Sequence, residues 1–188
     1  MRLKSIFYDW GGVNEALLLH FLAESPVASW LAWLVSAVGS YWVAPLVLGA
    51  MAWRVSRTHD ARRAGLISCQ IRRFILAGMA ASMLTWLLKG ALNLPRPFSI
   101  LGMAISPIGD LPTTGSFPSG HSVYVAVLAA TLWPLASARM RLGITVFVIA
   151  VGWSRLALAM HFPADVVAGW LLGLGCAELS RCVIRRHL

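Results

Sequence analysis

The chain has 188 residues, of which 59% are hydrophobic and only 12% are charged. A soluble domain averages about 45–50% apolar and about 25% charged residues, so a soluble fold of this length could not bury so much apolar surface, and lipid must solvate part of it. The formal net charge of +9 is concentrated in short basic clusters between apolar runs. This distribution argues against a nucleic-acid-binding protein and is typical of charges that flank a membrane.

The first element in chain order is the segment of residues 13–23. It contains Asn14, Glu15 and His20, and its uncharged core is too short to cross a bilayer. The segment is therefore either an interfacial helix or an additional span.

Five longer apolar stretches follow, and each reaches or approaches the about 20 residues that a transmembrane helix needs. They are residues 26–53, 74–93, 119–138, 142–160 and 163–184. The first is long enough to break near Gly39 and Ser40, and Pro134 can kink the third. We therefore predict an all-α fold, a single domain built as a transmembrane bundle of five to six helices.

The basic clusters predict the orientation of this bundle. They lie between the first and second spans, between the third and fourth, and after the fifth. Their members are Arg54, Arg57, Arg62, Arg63, Arg72, Arg73, Arg139, Arg141, Arg181, Arg185 and Arg186. With five alternating spans all three clusters share one side, which the excess of arginine marks as cytoplasmic. Arg2 and Lys4 near the N-terminus favour a sixth span, because positive charges are expected on the cytoplasmic side and five spans would leave this terminus outside.

Three cations fall on the opposite, extracytoplasmic side, and they need a separate explanation. Lys89, Arg96 and Arg155 lie near one membrane face, where a charge is costly unless it binds a ligand, snorkels to head groups or pairs with a carboxylate. Only Asp110 and Asp165 are expected on that face. The excess of positive charge therefore indicates an anionic ligand.

The start of the third span strengthens this interpretation. Pro118-Ser119-Gly120-His121 opens the predicted helix, whose free N–H groups and positive dipole end attract anions. Gly120 lets the backbone approach a ligand closely, and Ser119 can add a hydroxyl donor. Next to three cations, this helix start predicts a phosphate cradle.

Two histidines complete the predicted site. His161 and Asp165 are four residues apart, so a helix beginning near Pro163 can place the carboxylate beside the imidazole and orient it. His121, on a different span, can face the same ligand. Phosphoryl transfer needs a nucleophile, a proton donor and positive charge around the phosphoryl oxygens. These residues supply all three, and with only seven acidic residues in the chain we expect no metal and no other cofactor.

The order and spacing of these residues resemble the three-part signature of the type 2 phosphatidic acid phosphatases. The three parts are Lys89, six residues and Arg96-Pro97; Pro118-Ser119-Gly120-His121; and Ser154-Arg155, five residues, His161, three residues and Asp165. That superfamily also includes bacterial acid phosphatases, glucose-6-phosphatase and vanadium haloperoxidases. The resemblance implies a helical core of the haloperoxidase type, with the catalytic core in residues 71–185 and an interfacial helix or extra span in residues 1–25.

The resemblance also implies a role for each residue of the signature. His161 would be the nucleophile that forms a phosphohistidine, Asp165 would orient it, and His121 would be the general acid. The residues expected to bind the phosphoryl oxygens are Lys89, Arg96, Ser119, Gly120 and Arg155, with Pro118 and Ser154 in support.

Membrane members of the family act on lipid phosphates, so the expected partners are the bilayer and a lipid phosphate. The expected activity is hydrolysis of a lipid phosphate or pyrophosphate on the extracytoplasmic face. Undecaprenyl pyrophosphate is the favoured substrate, because the small chain with minimal loops suits recycling of a carrier lipid, and phosphatidylglycerol phosphate follows closely. Two alternatives remain: a phosphotransferase that uses the same phosphohistidine, and a non-enzymatic lipid-phosphate transporter.

Overall fold

A computed structural model describes residues 12–102 and 112–185 of the chain. Eight α-helices follow one another in these ranges. They are α1 (Val13–Phe21), α2 (Pro26–Val38), α3 (Ala44–Ser56), α4 (Ala61–Leu92), α5 (Pro97–Ile100), α6 (Gly120–Leu132), α7 (Ala138–Ala157) and α8 (Pro163–Arg185). Short 3-10 turns at Tyr41–Val43 and Trp133–Leu135 precede α3 and follow α6.

Helix starts are marked by side chains that accept a hydrogen bond from a free backbone N–H. Ser25 accepts from the N–H of Ala28 at 3.2 Å before α2, and Asp60 accepts from that of Arg62 at 2.9 Å before α4. At the other end of α4, Asn93 adopts the left-handed conformation with φ 41° and ends the helix. The 32-residue α4 therefore stops just after Lys89.

Three helices, α4, α7 and α8, are long and apolar enough to cross a membrane, and a fourth candidate is the pair α1 and α2, which is bent by 105°. The predicted stretch 26–53 is divided into α2 and α3 at Gly39–Ser40, as expected. The predicted stretch 119–138 is a shorter apolar helix, Gly120–Leu135, since Pro134 cannot continue the α-helical hydrogen bonds. The number of spans stays a prediction.

The core forms where α6 packs against α4, α7 and α8. Its buried members include Phe74 and Ala77 of α4, Val125 of α6, Val151 of α7 and Ala177 of α8. Within the described residues α6 and α8 make the most extensive helix contact, and it joins the helix that begins after Ser119 to the helix that carries Asp165.

Two glycines of α8 permit this close contact. A Cβ atom added at Gly169 would lie 2.7 Å from the carbonyl oxygen of Ser119, and one added at Gly173 would lie 2.5 Å from that of Val123. Both distances are too short for real atoms, so only glycine lets the two backbones approach this far.

Helix α1 lies across the ends of α7 and α8. Its Leu18 is fully buried and packs with Leu156 of α7, with Phe162 and with Val166 of α8. Nine residues of helix rise only about 14 Å, too little to cross the hydrocarbon core. Residues 1–11, where the rest of the predicted N-terminal segment falls, lie outside the described ranges.

Candidate active site

The segment after α4 pairs with the segment before α6. Pro95 bridges Thr114 in antiparallel fashion, the N–H of Arg96 donates to the carbonyl of Thr113 at 2.8 Å, and the N–H of Ser116 donates to that of Leu94 at 3.0 Å. This pairing places the first part of the signature beside the approach to the second.

Two of the predicted cations point at this paired segment. The ammonium of Lys89 donates to the carbonyl of Gly115 and lies 3.5 Å from that of Ser116. The guanidinium Nε of Arg96 donates to the carbonyl of Thr114 at 3.4 Å. Backbone carbonyls therefore hold both cations beside the segment that leads to α6.

His161 and Asp165 are buried together at the start of α8. The N–H of His161 donates to the carbonyl of Arg155 at 3.2 Å, which closes the end of α7. The imidazole Nδ1 of His161 lies 3.5 Å from Oδ2 of Asp165, beside the carboxylate but without a hydrogen bond among the described residues. The same Oδ2 accepts from the hydroxyl of Ser116 at 2.5 Å and from the N–H of Phe162 at 2.9 Å, so two donors fix the carboxylate.

The environment of His161 keeps its imidazole neutral. Burial, and then the charges of Arg155, Lys89 and Arg96, lower the pKa of His161 well below its ordinary value of 6.5. A smaller contribution from the backbone of Ser116 acts in the opposite direction. A neutral ring keeps the nitrogen lone pair that a nucleophile requires.

The second part of the signature lies against α8. The N–H of Ser119 donates to the backbone carbonyl of Asp165 at 3.0 Å, and its hydroxyl accepts from that of Ser122 at 3.0 Å. Pro118 is buried after a cis peptide bond. No described atom lies within 4 Å of a Cβ placed on Gly120, so the first turn of α6 has room beside it.

His121 lies in the first turn of α6, the helix that packs against α8. It is half-buried and within electrostatic range of Arg155, His161, Arg96 and Lys89. The two predicted histidines, one on α6 and one between α7 and α8, therefore lie near the same cations.

Arg155 is buried near the end of α7, and its guanidinium donates to the hydroxyl of Ser36 on α2. Its Nε is also buried and has no hydrogen-bond partner in the described part of the chain, so it can donate to an anion. The hydroxyl of Ser154 donates to the carbonyl of Val151 at 2.7 Å within α7, so its supporting role stays a prediction.

Two residues of this site were not expected from the sequence. Ser116 lies two residues before Pro118 without any periodicity to mark it, and Ser36 lies on a helix 119 positions from its partner Arg155. By contrast, the spacing of Gly169 and Gly173 is visible in the sequence and could have indicated the close contact with α6.

No group of three or more His, Cys, Asp and Glu side chains is placed to hold a metal ion in residues 12–102 and 112–185. A separate apolar groove of about 510 Å³ runs between α6, α7 and α8, and its lining includes Trp133, Ile149 and Trp170. It contains none of the predicted site residues, so it is distinct from the charged site.

Known proteins resemble the chain in sequence and in fold. An undecaprenyl-diphosphatase from Sulfolobus acidocaldarius is 35% identical over 85 residues, which are 45% of this chain and 41% of that protein. A lipid A 1-phosphatase from Rhizobium johnstonii is 29% identical over 142 residues, 73% of this chain and 58% of that protein. The chain spans between 41% and 61% of the length of the curated relatives that it matches.

The fold matches the crystal structure of LpxE from Aquifex aeolicus with a TM-score of 0.77 and 23% sequence identity, over 93% of this chain and 97% of that one. The predicted all-α membrane bundle is therefore confirmed, and the chain is a multi-pass membrane protein. The family model of the PAP2 superfamily matches residues 71–187, more than half of the chain and all three parts of the signature. The chain thus belongs to the PAP2 superfamily, the type 2 phosphatidic acid phosphatases and their relatives.

Proposed function

We propose that this protein is a membrane phosphatase that hydrolyses a lipid phosphate or pyrophosphate through a phosphohistidine. The observation that carries the proposal is the buried pair of His161 and Asp165, with Nδ1 3.5 Å from Oδ2, in the field of Arg155, Lys89 and Arg96. A neutral nucleophile oriented by a carboxylate and surrounded by positive charge is what phosphoryl transfer requires.

In the first step Nε2 of His161 attacks the phosphorus, because Asp165 occupies the side of Nδ1. The bond from phosphorus to the leaving oxygen breaks, and protonated His121 donates its proton to that oxygen. Neutral His121 then takes a proton from water, whose oxygen attacks the phosphohistidine. The P–N bond breaks, inorganic phosphate leaves, and both histidines return to their starting states.

The cations stabilise the charge that develops on the phosphoryl oxygens. Backbone carbonyls hold Lys89 and Arg96 in position, and the buried Nε of Arg155 has no hydrogen-bond partner among the described residues. Ser119 and the N–H groups at the start of α6 add neutral donors. These cations can occupy the place that a divalent metal takes in other phosphatases, so we expect activity to persist in a chelator.

The site is proposed to face the extracytoplasmic side. Arg73, in the N-terminal half of α4, donates to the carbonyl of Ala177 at 3.2 Å, and Nη2 of Arg73 lies 3.8 Å from Glu178. The arginine-rich end of α4 therefore meets the far half of α8, opposite to Asp165. Clustered arginines mark the cytoplasmic side, so the site lies at the other.

For the substrate we propose undecaprenyl pyrophosphate first, since one relative is an undecaprenyl-diphosphatase. The second relative is a lipid A 1-phosphatase, which adds the 1-phosphate of lipid A to phosphatidylglycerol phosphate as a competing candidate. All three present a phosphate on an apolar anchor at the membrane surface, as a site at the end of α4 requires.

The test is phosphate release from these three lipids by purified wild type, His161→Ala and His121→Ala, with a chelator present and with ³²P trapping of the enzyme. We expect His161→Ala to lose both phosphate release and the acid-labile phosphoenzyme. With para-nitrophenyl phosphate, whose leaving group needs no proton, His121→Ala should still form the phosphoenzyme, but it should hydrolyse it slowly because the base that activates water is lost. Retention of phosphate release by His161→Ala would rule out the phosphohistidine, and no phosphate release by wild type would favour a transporter. Phosphate appearing on an added acceptor would identify a transferase.

A further inference from the structure

The start of α8 lacks the side chain that usually satisfies the first N–H groups of a helix. Its first residue, Pro163, has no N–H, and the preceding Phe162 has an apolar side chain that cannot accept a hydrogen bond. Asp165 reaches back to the N–H of Phe162 at 2.9 Å, in the manner of a capping box. The N–H of Ala164 still needs an acceptor.

That acceptor comes from another helix. Oδ1 of Asn14, on α1, accepts from the N–H of Ala164 at 3.2 Å. Asn14 is completely buried, although an asparagine is usually exposed. A buried amide is retained at little cost only when it is hydrogen-bonded, and here its partner stands between Pro163 and the catalytic carboxylate.

Two further contacts keep Asn14 in this position. One turn further along α1, Leu18 packs with Leu156, Phe162 and Val166. At the end of α1, the N–H of Ala23 donates to the carbonyl of Ala157 at 3.1 Å, which joins α1 to the end of the helix that carries Arg155. Helix α1 therefore bonds both chain segments that flank His161.

We propose that Asn14 is a positioning residue, which caps α8 from α1 and so fixes the first turn on which Asp165 holds His161. Through this hydrogen bond Asn14 acts on α8, and through α8 on the nucleophile. This inference rests on the proposed function, and it adds a residue outside the matched residues 71–187 to the catalytic arrangement.

The test compares Asn14→Ala and Asn14→Asp in the full chain. Loss of a helix cap predicts a roughly three- to thirtyfold slower formation of the phosphohistidine in Asn14→Ala, with KM unchanged because the substrate is not contacted. Asn14→Asp keeps Oδ1 and places a negative charge at a helix N-terminus, where it is favourable, so it should retain most of the wild-type rate. Hydrogen exchange at the amides of residue 162 and of residues 164–168 should accelerate in Asn14→Ala alone.

Two control variants separate positioning from packing. Leu18→Ala removes buried volume from the same helix but keeps the cap, so it should lower Tm more than Asn14→Ala does while slowing phosphohistidine formation less. Glu15→Gln changes the exposed neighbour and should match wild type. Equal rates for Asn14→Ala and wild type, or Asn14→Asp as slow as Asn14→Ala, would overturn the proposal.

The proposed function is judged separately. If the proposed function is wrong, phosphate release from wild type and from His161→Ala will show it. Hydrogen exchange reports the cap of α8 even when no substrate is turned over. If Asn14→Ala does not fold, Asn14→Asp is compared with wild type and with Leu18→Ala instead. A folded Asn14→Asp that forms the phosphohistidine slowly contradicts the proposal.

Discussion

Asp165 receives hydrogen bonds from two separate segments, and this determines how firmly it can hold His161. The hydroxyl of Ser116 and the N–H of Phe162 both donate to Oδ2, while Nδ1 of His161 lies 3.5 Å away. Hydrogen bonds to a charged group are each worth about 1.5–3 kcal/mol. The orientation of the Asp165 carboxylate therefore depends on Ser116, which comes from the loop before α6, as much as on α8 itself.

At this scale the pKa of His161 gives a direct prediction. Because burial and the nearby charge of Arg155 lower this pKa well below 6.5, the ring should stay neutral through the mildly acidic range. NMR of ¹³C-histidine-labelled protein in micelles, with the resonance assigned by its loss in His161→Ala, should show a titration midpoint well below 6.5. Arg155→Gln should move that midpoint upward, and a wild-type midpoint at or above 6.5 would contradict the described environment.

The lowered pKa of His161 also makes the stability of the fold depend on pH. The unfolded chain binds this proton more readily than the folded chain does, so the free energy of unfolding falls as the pH drops from about 6.5 towards the lowered pKa.

The sequence predicted part of this residue-level arrangement. The four-residue spacing of His161 and Asp165 was sufficient to place them together, because a helix turn after a proline has a fixed geometry. Ser116 and Ser36 could not be predicted, since their contacts cross 49 and 119 positions of the chain and depend on how separate helices pack.

At the scale of helices, the close approach of α6 and α8 brings His121, in the first turn of α6, near the segment that carries His161. Gly169 lies one turn after Asp165, and a Cβ there would come within 2.7 Å of the carbonyl oxygen of Ser119. That carbonyl is backbone and cannot rotate away, so any side chain at residue 169 must push the helices apart.

We therefore expect Gly169→Ala to lower the free energy of unfolding by about 1–3 kcal/mol, as overpacking does. It should also reduce phosphate release about tenfold or more, because small displacements of positioned groups are costly in catalysis. The matched control is Gly175→Ala in the same helix, where no described atom lies within 4 Å of the added Cβ. The control should keep its activity and gain up to about 1 kcal/mol from better helix propensity. Thermal unfolding and phosphate release are measured for both variants. Equal Tm values and equal rates for the two would contradict the close contact.

The hydrophobicity of the sequence predicted most of the helices, but it did not predict where each helix begins and ends. The apolar run 26–53 predicted one long stretch with a break, and the break lies at Gly39–Ser40. The run 119–138 ends as an α-helix at Leu132, because the proline at position 134 removes a donor. Burial of α1 across α7 and α8 could not be predicted, because its contacts depend on tertiary packing that no local pattern specifies.

At the scale of the whole molecule, native cysteines can test the proposed orientation. Cys182 is exposed near the end of α8, whereas Cys176 is buried and Cys69 is partly buried. With Cys69 and Cys176 replaced by alanine, a membrane-impermeant maleimide should label Cys182 in inside-out vesicles and not in intact cells. Thr113→Cys in a cysteine-free chain should show the opposite pattern, since Thr113 is exposed beside the site. Reversed labelling of the two positions would place the site on the cytoplasmic side.

The length of α4 sets the depth at which this protein meets its ligand. Its 32 residues extend about 48 Å, while the hydrocarbon core is only about 30 Å thick. Arg72 and Lys89 are separated by about 26 Å of helix, so they fall near the two boundaries of the core. If the proposed function holds, a lipid anchored in the bilayer has its phosphorus level with Lys89 and need not be extracted. On the proposed function, the reaction rate follows the mole fraction of lipid phosphate in the membrane plane, and diluting it with inert lipid slows turnover even at constant total amount.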